Sequence, residues 1–201
     1  MIISNSNRFI YIHTTKTAGS SISALLLNYC NDTDSYTSIF DYNKRGIVGN
    51  FDKLDHHSGI NTVRKFINND TKFKSYLKIS SIRNPFDRMV SAYFWFKPTY
   101  TKNINFEEYV IGDYPHPAPL YNSLFINNKL GVDFLIRYEY LNDDVSKLLI
   151  KLKKDNNVNI PKLKTNTRTD SKSYHHYYND KLIDIIKKDY KMDLNIFNYK
   201  F

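Results

Sequence analysis

One stretch of the sequence constrains the fold more than any other: FIYIHTTKTAGSSISALLL, residues 9–27. It begins with a short apolar run, passes through a polar turn with one lysine and one glycine, and ends in an apolar segment with helical spacing. A buried strand that leads into a helix in this way is typical of α/β proteins. Because the first N–H groups of a helix have no partners within it, the turn is predicted to bind an anion.

The composition suits one folded domain. The chain has 201 residues, of which 41% are hydrophobic and 15% aromatic, and we expect residues 1–201 to form a single domain. No apolar run approaches the roughly 18 residues of a membrane span, and no secretory signal is visible, so we expect a soluble, cytoplasmic protein. Cys30 is the only cysteine, which excludes a disulfide within the chain.

The charge is strongly positive and unevenly distributed. The formal net charge is +9, and eight basic but only two acidic residues lie between Lys147 and Lys172. This excess favours a phosphorylated, sulfated or nucleic-acid partner. The alternative is a basic face that contacts only solvent.

Strands and helices alternate along the chain. The predicted strands are Phe9–His13, Tyr76–Ile82 and Val132–Arg137. The predicted helices are Ser21–Tyr29, Gly59–Asn68, Pro85–Phe96, Asp143–Lys154 and Asp180–Tyr190. Such alternation predicts a three-layer α/β/α fold with a central parallel sheet, and ligands then bind at the carboxyl ends of its strands.

The first loop has suitable chemistry for an anion but not for a nucleoside triphosphate. Lys16 adds a positive charge, Gly19 allows close approach of the backbone, and the hydroxyls of Thr17, Ser20 and Ser21 can donate hydrogen bonds. The phosphate loop of nucleotide triphosphatases, G-x-x-x-x-G-K-[ST], needs glycines before the lysine. None is present in residues 9–15, which argues against hydrolysis of ATP or GTP. The alternative is a plain serine-capped helix.

A second loop follows the second predicted strand, in ISSIRNPFDRMVSAYFWF (residues 79–96). Arg83 ends the strand and can offer its planar guanidinium to a phosphate, and Ser91 adds a hydroxyl about two helical turns later. The alternative for Arg83 is a surface ion pair. Because both loops leave the same edge of the predicted sheet, a single ligand with two anionic ends could bridge them.

The two loops resemble those of the sulfotransferases that use 3′-phosphoadenosine 5′-phosphosulfate (PAPS), in the carbohydrate branch (family 2) that includes the heparan and chondroitin enzymes. HTTKTAGSS (residues 13–21) is similar to the family's 5′-phosphosulfate loop, and RNPFDRMVSAY (residues 83–93) to its 3′-phosphate segment. FLIRYEYL (residues 134–141) and the tyrosine-rich end of the chain also look like the family. Thr15 departs from the pattern, because the family usually has proline there.

The resemblance implies a P-loop nucleotide-kinase-like fold and transfer of a sulfuryl group from PAPS to a hydroxyl, which leaves 3′-phosphoadenosine 5′-phosphate (PAP). It implies a carbohydrate as the expected acceptor, and neither a metal nor obligatory nucleic acid. Two other functions stay open: a degenerate protein that binds PAPS, PAP or nucleic acid without transfer, and a P-loop kinase-like enzyme.

The resemblance also assigns roles to residues. In this family the 5′-phosphosulfate loop corresponds to Lys16, Thr17, Ala18, Gly19, Ser20 and Ser21. Arg83 and Ser91 would hold the 3′-phosphate, whereas Arg88 is expected to be structural. Lys16 would also neutralise charge on the departing phosphate.

The expected catalytic base lies in DHHSGI, residues 55–60. Alignment with the family's histidine segment favours His56, with its neighbour His57 as the second candidate, and histidine titrates near neutrality. The alternative is a surface or helix-capping pair, and His13 is expected to be structural. By position, residues 162–178 are expected to cover the nucleotide, with Arg168, Lys172 or Ser173 near its phosphates and a tyrosine near the adenine, and residues 97–122 are expected to contact the acceptor.

Overall fold

The computed structural model describes residues 1–31, 33–37, 54–98, 103–156, 159–163, 168 and 170–201. They belong to two compact units. The first comprises residues 1–82 and 122–163, and the second comprises residues 83–121 and 164–201. The expectation that residues 1–201 form a single domain stays a prediction.

The strands lie in the first unit. They are β1 (Ile2–Ser4), β2 (Phe9–Ile12), β3 (Ser35–Tyr36), β4 (Leu77–Ile82), β5 (Phe125–Ile126), β6 (Lys129–Leu130) and β7 (Phe134–Arg137). Five of them form one sheet in the order β3-β1-β2-β4-β7, and β5 and β6 form a separate antiparallel pair. The three strands predicted from the sequence are therefore adjacent in the sheet.

The sheet is mixed, so the prediction of a parallel sheet is wrong for the sheet as a whole. β2, β4 and β7 do pair in parallel, as predicted. In this pairing Ile12 of β2 lies opposite Ser80 of β4. β1 is antiparallel to both β2 and β3. Only a short turn separates β1 from β2, with Arg8 in a left-handed conformation (φ 54°), and a turn this short can join only antiparallel neighbours.

Helices flank the sheet within the first unit, and further helices form the second unit. They are α1 (Gly19–Leu27), α2 (Ile60–Ile67), α3 (Asp70–Ser75), α4 (Pro85–Phe96), α5 (Phe106–Ile111), α6 (Leu120–Leu124), α7 (Leu141–Lys151), α8 (Asp180–Asp189) and α9 (Lys191–Ile196). The five predicted helices are confirmed, with small shifts at their ends. Within the described ranges, every helix is too short or too polar to cross a membrane.

The core of the first unit forms where α1 and α7 pack against the sheet. Both helices present apolar side chains at helical spacing, and these meet every second residue of the strands. The central members of this buried cluster are Phe9, Tyr11, Ile22, Leu26, Ile79, Ile136, Val145, Leu148 and Leu149. The cluster fixes the directions in which β2 enters its loop and α1 leaves it.

The second unit is built around α4 and a cluster of aromatic rings. Asn84 caps this helix, because its side chain accepts a hydrogen bond of 3.0 Å from the backbone N–H of Phe86, and Pro85 occupies the first turn, where no donor is needed. Edge-to-face contacts join many of the rings: Phe86, Tyr93, Phe94, Phe106, Tyr177, Tyr178 and Phe201. α4 is therefore rigidly held from its first residue.

Candidate functional site

The loop between β2 and α1 has an unusual backbone. Lys16 and Ala18 both adopt left-handed conformations, with φ values of 63° and 64°. For residues other than glycine this costs roughly 1 kcal/mol or more each. Ala18 is also the N-cap residue of α1, and its carbonyl accepts the first helical hydrogen bond, from the N–H of Ile22, at 3.1 Å. These two residues lie directly before the first N–H groups of α1, at the positive end of the helix dipole. The first turn of α1 has no acidic residue that would repel an anion there.

A chain of buried hydroxyl groups holds this loop to β4. The hydroxyl of Thr17 donates to the carbonyl of Thr14 at 3.0 Å and lies 2.7 Å from the Oγ of Ser81. The hydroxyl of Thr14 donates to the carbonyl of Ser81 at 2.5 Å. The sequence predicted that the Thr17 hydroxyl could contact an anion, but here it is fully buried and bonded within the protein. A role for Thr17 in anion binding therefore rests on its backbone N–H.

Gly19 is required by a close neighbour in the protein itself. A Cβ atom at this position would lie 1.9 Å from Cδ2 and 2.1 Å from Nε2 of His13. His13 is only 4% exposed, so its ring is enclosed by the protein. The sequence suggested that Gly19 lets the backbone approach a ligand. The structure adds that it makes room for the His13 ring.

We expect Gly19→Ala to destabilise the protein by about 1–3 kcal/mol, as overpacking of a tight interior does. Urea denaturation measures the loss. The double variant His13→Ala, Gly19→Ala removes the clashing ring and should recover part of the stability lost in Gly19→Ala. If Gly19→Ala lowered the stability equally with and without the His13 ring, the ring would not be the cause of the loss.

Three histidines meet at the base of the loop. The rings of His57 and His13 have centroids 5.0 Å apart, and those of His56 and His57 are 4.0 Å apart. Nδ1 of His57 lies 3.0 Å from the backbone carbonyl oxygen of His13. Since a carbonyl oxygen can only accept, Nδ1 carries the hydrogen, and in the neutral ring Nε2 is left as the basic atom. The structure thus orients His57.

The segment that carries the histidine pair is itself ordered by local hydrogen bonds. The carboxylate of Asp55 accepts from the backbone N–H of His57 at 2.6 Å, and the Ser58 hydroxyl accepts from the N–H of Asp55 at 3.1 Å. Helix α2 begins two residues after Ser58. His56 is partly buried and His57 is more exposed, so both rings can be reached from solvent.

The second motif begins the second unit. Nε of Arg83 lies 2.8 Å from the carboxylate of Asp87, four residues later, and both side chains are largely buried. Ser91 lies further along α4 and is partly exposed. The ion pair with Asp87 orients the guanidinium of Arg83 along the helix. Arg83 therefore forms an ion pair, but a mostly buried one, and not the surface ion pair that the sequence left open as an alternative.

Arg88 has the structural placement that the sequence analysis expected. It is 2% exposed, and its Nη2 donates to the carbonyl of Ala118 at 2.8 Å. Burial lowers the pKa of Arg88 to about 10. Asp193 lies 3.9 Å from its Nη1 and accepts the backbone N–H groups of Leu120 and Tyr121. Arg88 and Asp193 together thus join α4 and α9 to the segment from Ala118 to Tyr121.

The structure brings together some of the predicted residues. Lys16 to Ser21 share one loop and helix start, and His57 is attached to the same loop through His13. Arg83 and Ser91 share α4 and the residues before it. Of the expected cover, residues 164–167 and 169 lie outside the described residues, as do residues 99–102 of the expected acceptor loop. Arg168 pairs with Asp170 and lies over the rings of Phe94 and Tyr177.

Sequence reasoning missed Tyr11, Thr14 and Ser81 and treated His13 as structural only. The hydroxyl of Tyr11 lies 3.0 Å from Oγ of Ser81, and both residues are fully buried. One signal was present: two adjacent serines, Ser80 and Ser81, lie between the apolar residues Ile79 and Ile82 of the predicted strand. Buried hydroxyls need partners, so polar residues in a central strand point to a hydrogen-bonded site beside it.

Comparison with known proteins gives the family. The model of the sulfotransferase family matches residues 1–200. An uncharacterized protein of Archaeoglobus fulgidus is 35% identical over 85 residues, which covers 40% of this chain and 70% of that protein. No solved structure gives a significant match. Because the family model covers almost the whole sequence, as the two loop motifs led us to expect, the chain belongs to the sulfotransferase family, in its family 2 branch.

Proposed function

We propose that this protein transfers a sulfuryl group from PAPS to a hydroxyl of an acceptor and releases PAP. One observation carries the proposal: the strand–helix loop with Lys16 also holds an oriented histidine, through the contact between His57 Nδ1 and the His13 carbonyl at 3.0 Å. Sulfuryl transfer needs an anion-binding loop and a base for the acceptor proton. The proposal includes the P-loop nucleotide-kinase-like form of the α/β fold.

The loop supplies the donors for the 5′-phosphosulfate. In this proposal the backbone N–H groups from Thr17 to Ser21 bind it, with the positive end of the α1 dipole behind them. Lys16 adds the positive charge, and the Ser20 hydroxyl can add a further donor. The Ser21 hydroxyl already accepts from the N–H of Leu163 at 3.2 Å and keeps its own hydrogen for donation.

The second motif supplies the 3′-phosphate contacts. We assign the guanidinium of Arg83 and the hydroxyl of Ser91 to this role. Arg83 uses Nε to bond Asp87, which orients its terminal nitrogens. Both residues are proposed to contact the 3′-phosphate, so each can be tested with two ligands that differ only in that group.

The geometry favours His57 over His56 as the base. The acceptor oxygen forms a bond to sulfur, its proton passes to Nε2 of His57, and the bond from sulfur to the bridging phosphate oxygen breaks. The His13 carbonyl stabilises the charged ring that results, because it accepts from Nδ1 in both protonation states. Lys16 stabilises the negative charge that grows on the departing phosphate.

A carbohydrate is our proposed acceptor class, on the strength of the family 2 resemblance. A panel of glycans, simple alcohols and tyrosine peptides with labelled PAPS identifies the acceptor directly.

Calorimetric titration tests donor binding. We expect PAP to bind at least about tenfold more tightly than AMP, because a charge-assisted contact to the 3′-phosphate contributes on the order of 1.5–3 kcal/mol. ATP and single-stranded DNA should bind no better than AMP. Preference for ATP would favour a kinase, and preference for DNA a nucleic-acid-binding protein.

Arg83→Met should remove the advantage of PAP over AMP and leave AMP binding unchanged. Arg64→Met is a matched control, because Arg64 also pairs with a carboxylate, Asp70, at 2.8 Å but lies at the end of α2. This variant should keep the full preference for PAP. An undiminished preference in Arg83→Met would reject the assignment of Arg83.

A further inference from the structure

Ser81, the penultimate residue of β4, is the centre of the hydroxyl chain beneath the loop. Its Oγ lies 2.7 Å from Oγ1 of Thr17 and 3.0 Å from the hydroxyl of Tyr11, and its carbonyl accepts from Thr14. Ser81, Tyr11 and Thr17 are completely buried, and Thr14 is 3% exposed. Ser81 is thus bonded to both ends of the Thr14–Thr17 turn.

The hydrogens of these groups can be assigned in one direction. Thr14 donates to the Ser81 carbonyl, so the hydroxyl of Thr17 donates toward Thr14, whose carbonyl oxygen lies 3.0 Å away and whose Oγ1 lies 2.8 Å away. Ser81 must then donate to Thr17, which leaves the Tyr11 hydroxyl to donate to Ser81. Burial raises the pKa of Tyr11, so its hydroxyl stays protonated and able to donate. Every hydroxyl in the chain donates once.

This chain of hydroxyl groups fixes the two ends of the turn whose backbone is conformationally unfavourable. Thr14 and Thr17 flank Lys16, whose φ is 63°, and Ala18 follows with a φ of 64°. A turn with two such residues would relax to other conformations if nothing fixed its ends. A ligand that needs the strained form would then bind less tightly, because part of its binding energy would go into ordering the loop.

We propose that Ser81 is a positioning residue for the donor: through Thr17 and Thr14 it keeps the loop in the conformation that binds the 5′-phosphosulfate. The inference rests on the proposed function. It assigns no contact between Ser81 and the ligand. A purely structural serine would contribute to stability alone, so affinity and stability must be measured together.

Ser80 is a matched control in the neighbouring position of the same strand. It is also fully buried, and its hydroxyl donates to the carbonyl of Ile12 at 2.8 Å. Its partner is therefore the backbone of β2 and not the turn. Ser80→Ala and Ser81→Ala each remove one buried hydroxyl from β4. Only Ser81→Ala removes a hydrogen bond to the Thr14–Thr17 turn.

The experiment measures the affinity of both variants for PAP and for adenosine 3′-phosphate, which lacks the 5′ group, together with urea stability. We expect Ser81→Ala to bind PAP about tenfold more weakly, as the loss of one buried hydrogen bond in the loop would give. Its affinity for adenosine 3′-phosphate should stay unchanged. Ser80→Ala should bind both ligands within about twofold of the unmodified protein, although both variants lose stability.

The outcomes separate the two proposals. An unmodified protein that does not bind PAP overturns the proposed function and this inference with it. A protein that binds PAP, but in which Ser81→Ala and Ser80→Ala behave alike, overturns the inference alone. If Ser81→Ala does not fold, Ser81→Cys, which has a similar shape and a weaker hydrogen-bonding group, gives the same comparison.

Discussion

Replacing Lys16 by methionine is expected to lower kcat for sulfuryl transfer by about 100-fold or more, because the loss of one preorganised group at the developing charge has an effect of this size. Methionine keeps the length of the side chain and removes its charge. It also keeps the unfavourable left-handed backbone at φ 63°, which glycine would relieve. The change therefore tests the charge and not the shape of the loop.

Single-turnover kinetics with labelled PAPS measure this effect separately from binding. The Kd for PAP should rise much less than kcat falls, because Lys16 is proposed to act mainly on charge that forms during transfer. Lys151→Met, an exposed position on α7, controls for the change in net charge. A variant that weakens PAP binding and leaves kcat unchanged would make Lys16 a binding residue only.

His57→Asn is expected to lower kcat by about 100-fold to 10,000-fold, the usual range for loss of a general base. The asparagine amide can still donate to the His13 carbonyl, which His57 contacts at 3.0 Å, so the local structure is kept. The ascending limb of the pH–rate profile should also disappear, since no group then has to lose a proton before transfer. PAP affinity should stay close to that of the unmodified protein.

His56→Asn is the control, because this ring lies beside His57 with centroids 4.0 Å apart. We expect its kcat to fall by less than about tenfold, with the pH profile unchanged. The sequence placed His56 first and His57 second, and the hydrogen bond from His57 to the His13 carbonyl is the reason we propose the opposite order. The opposite ranking of the two variants would restore His56 as the base.

The inner strands and long helices could be predicted because their patterns are strong. β2 is buried on both faces and appears as a continuous apolar run, β4 is almost entirely buried and has apolar residues at Leu77, Ile79 and Ile82, and α4 has both a capping asparagine and a proline in its first turn. β1 and β3 have three and two residues, too few for a periodic signal. Their antiparallel pairing depends on a turn that the apolar pattern does not describe.

The candidate site was predicted in its composition but not in its contacts. Lys16, Gly19 and the histidine pair stood out because their residue types and spacing suggest anion and proton chemistry. The contact of His13 with His57 joins positions 44 residues apart, and the close approach of His13 to Gly19 depends on how the loop between them folds, so no residue pattern encodes either. The same is true of Ser81, whose hydroxyl has a role only once β2 and β4 lie side by side.

His13 has one further consequence for the proposed enzyme. Its ring fills the space beside Gly19, and its carbonyl fixes His57, so a single residue connects the donor loop to the proton acceptor. A donor of the wrong size that pushed the loop aside would also move the base away from the incoming hydroxyl. Such a donor would be bound poorly and would leave the hydroxyl without its base, so its transfer would be slow for two reasons at once.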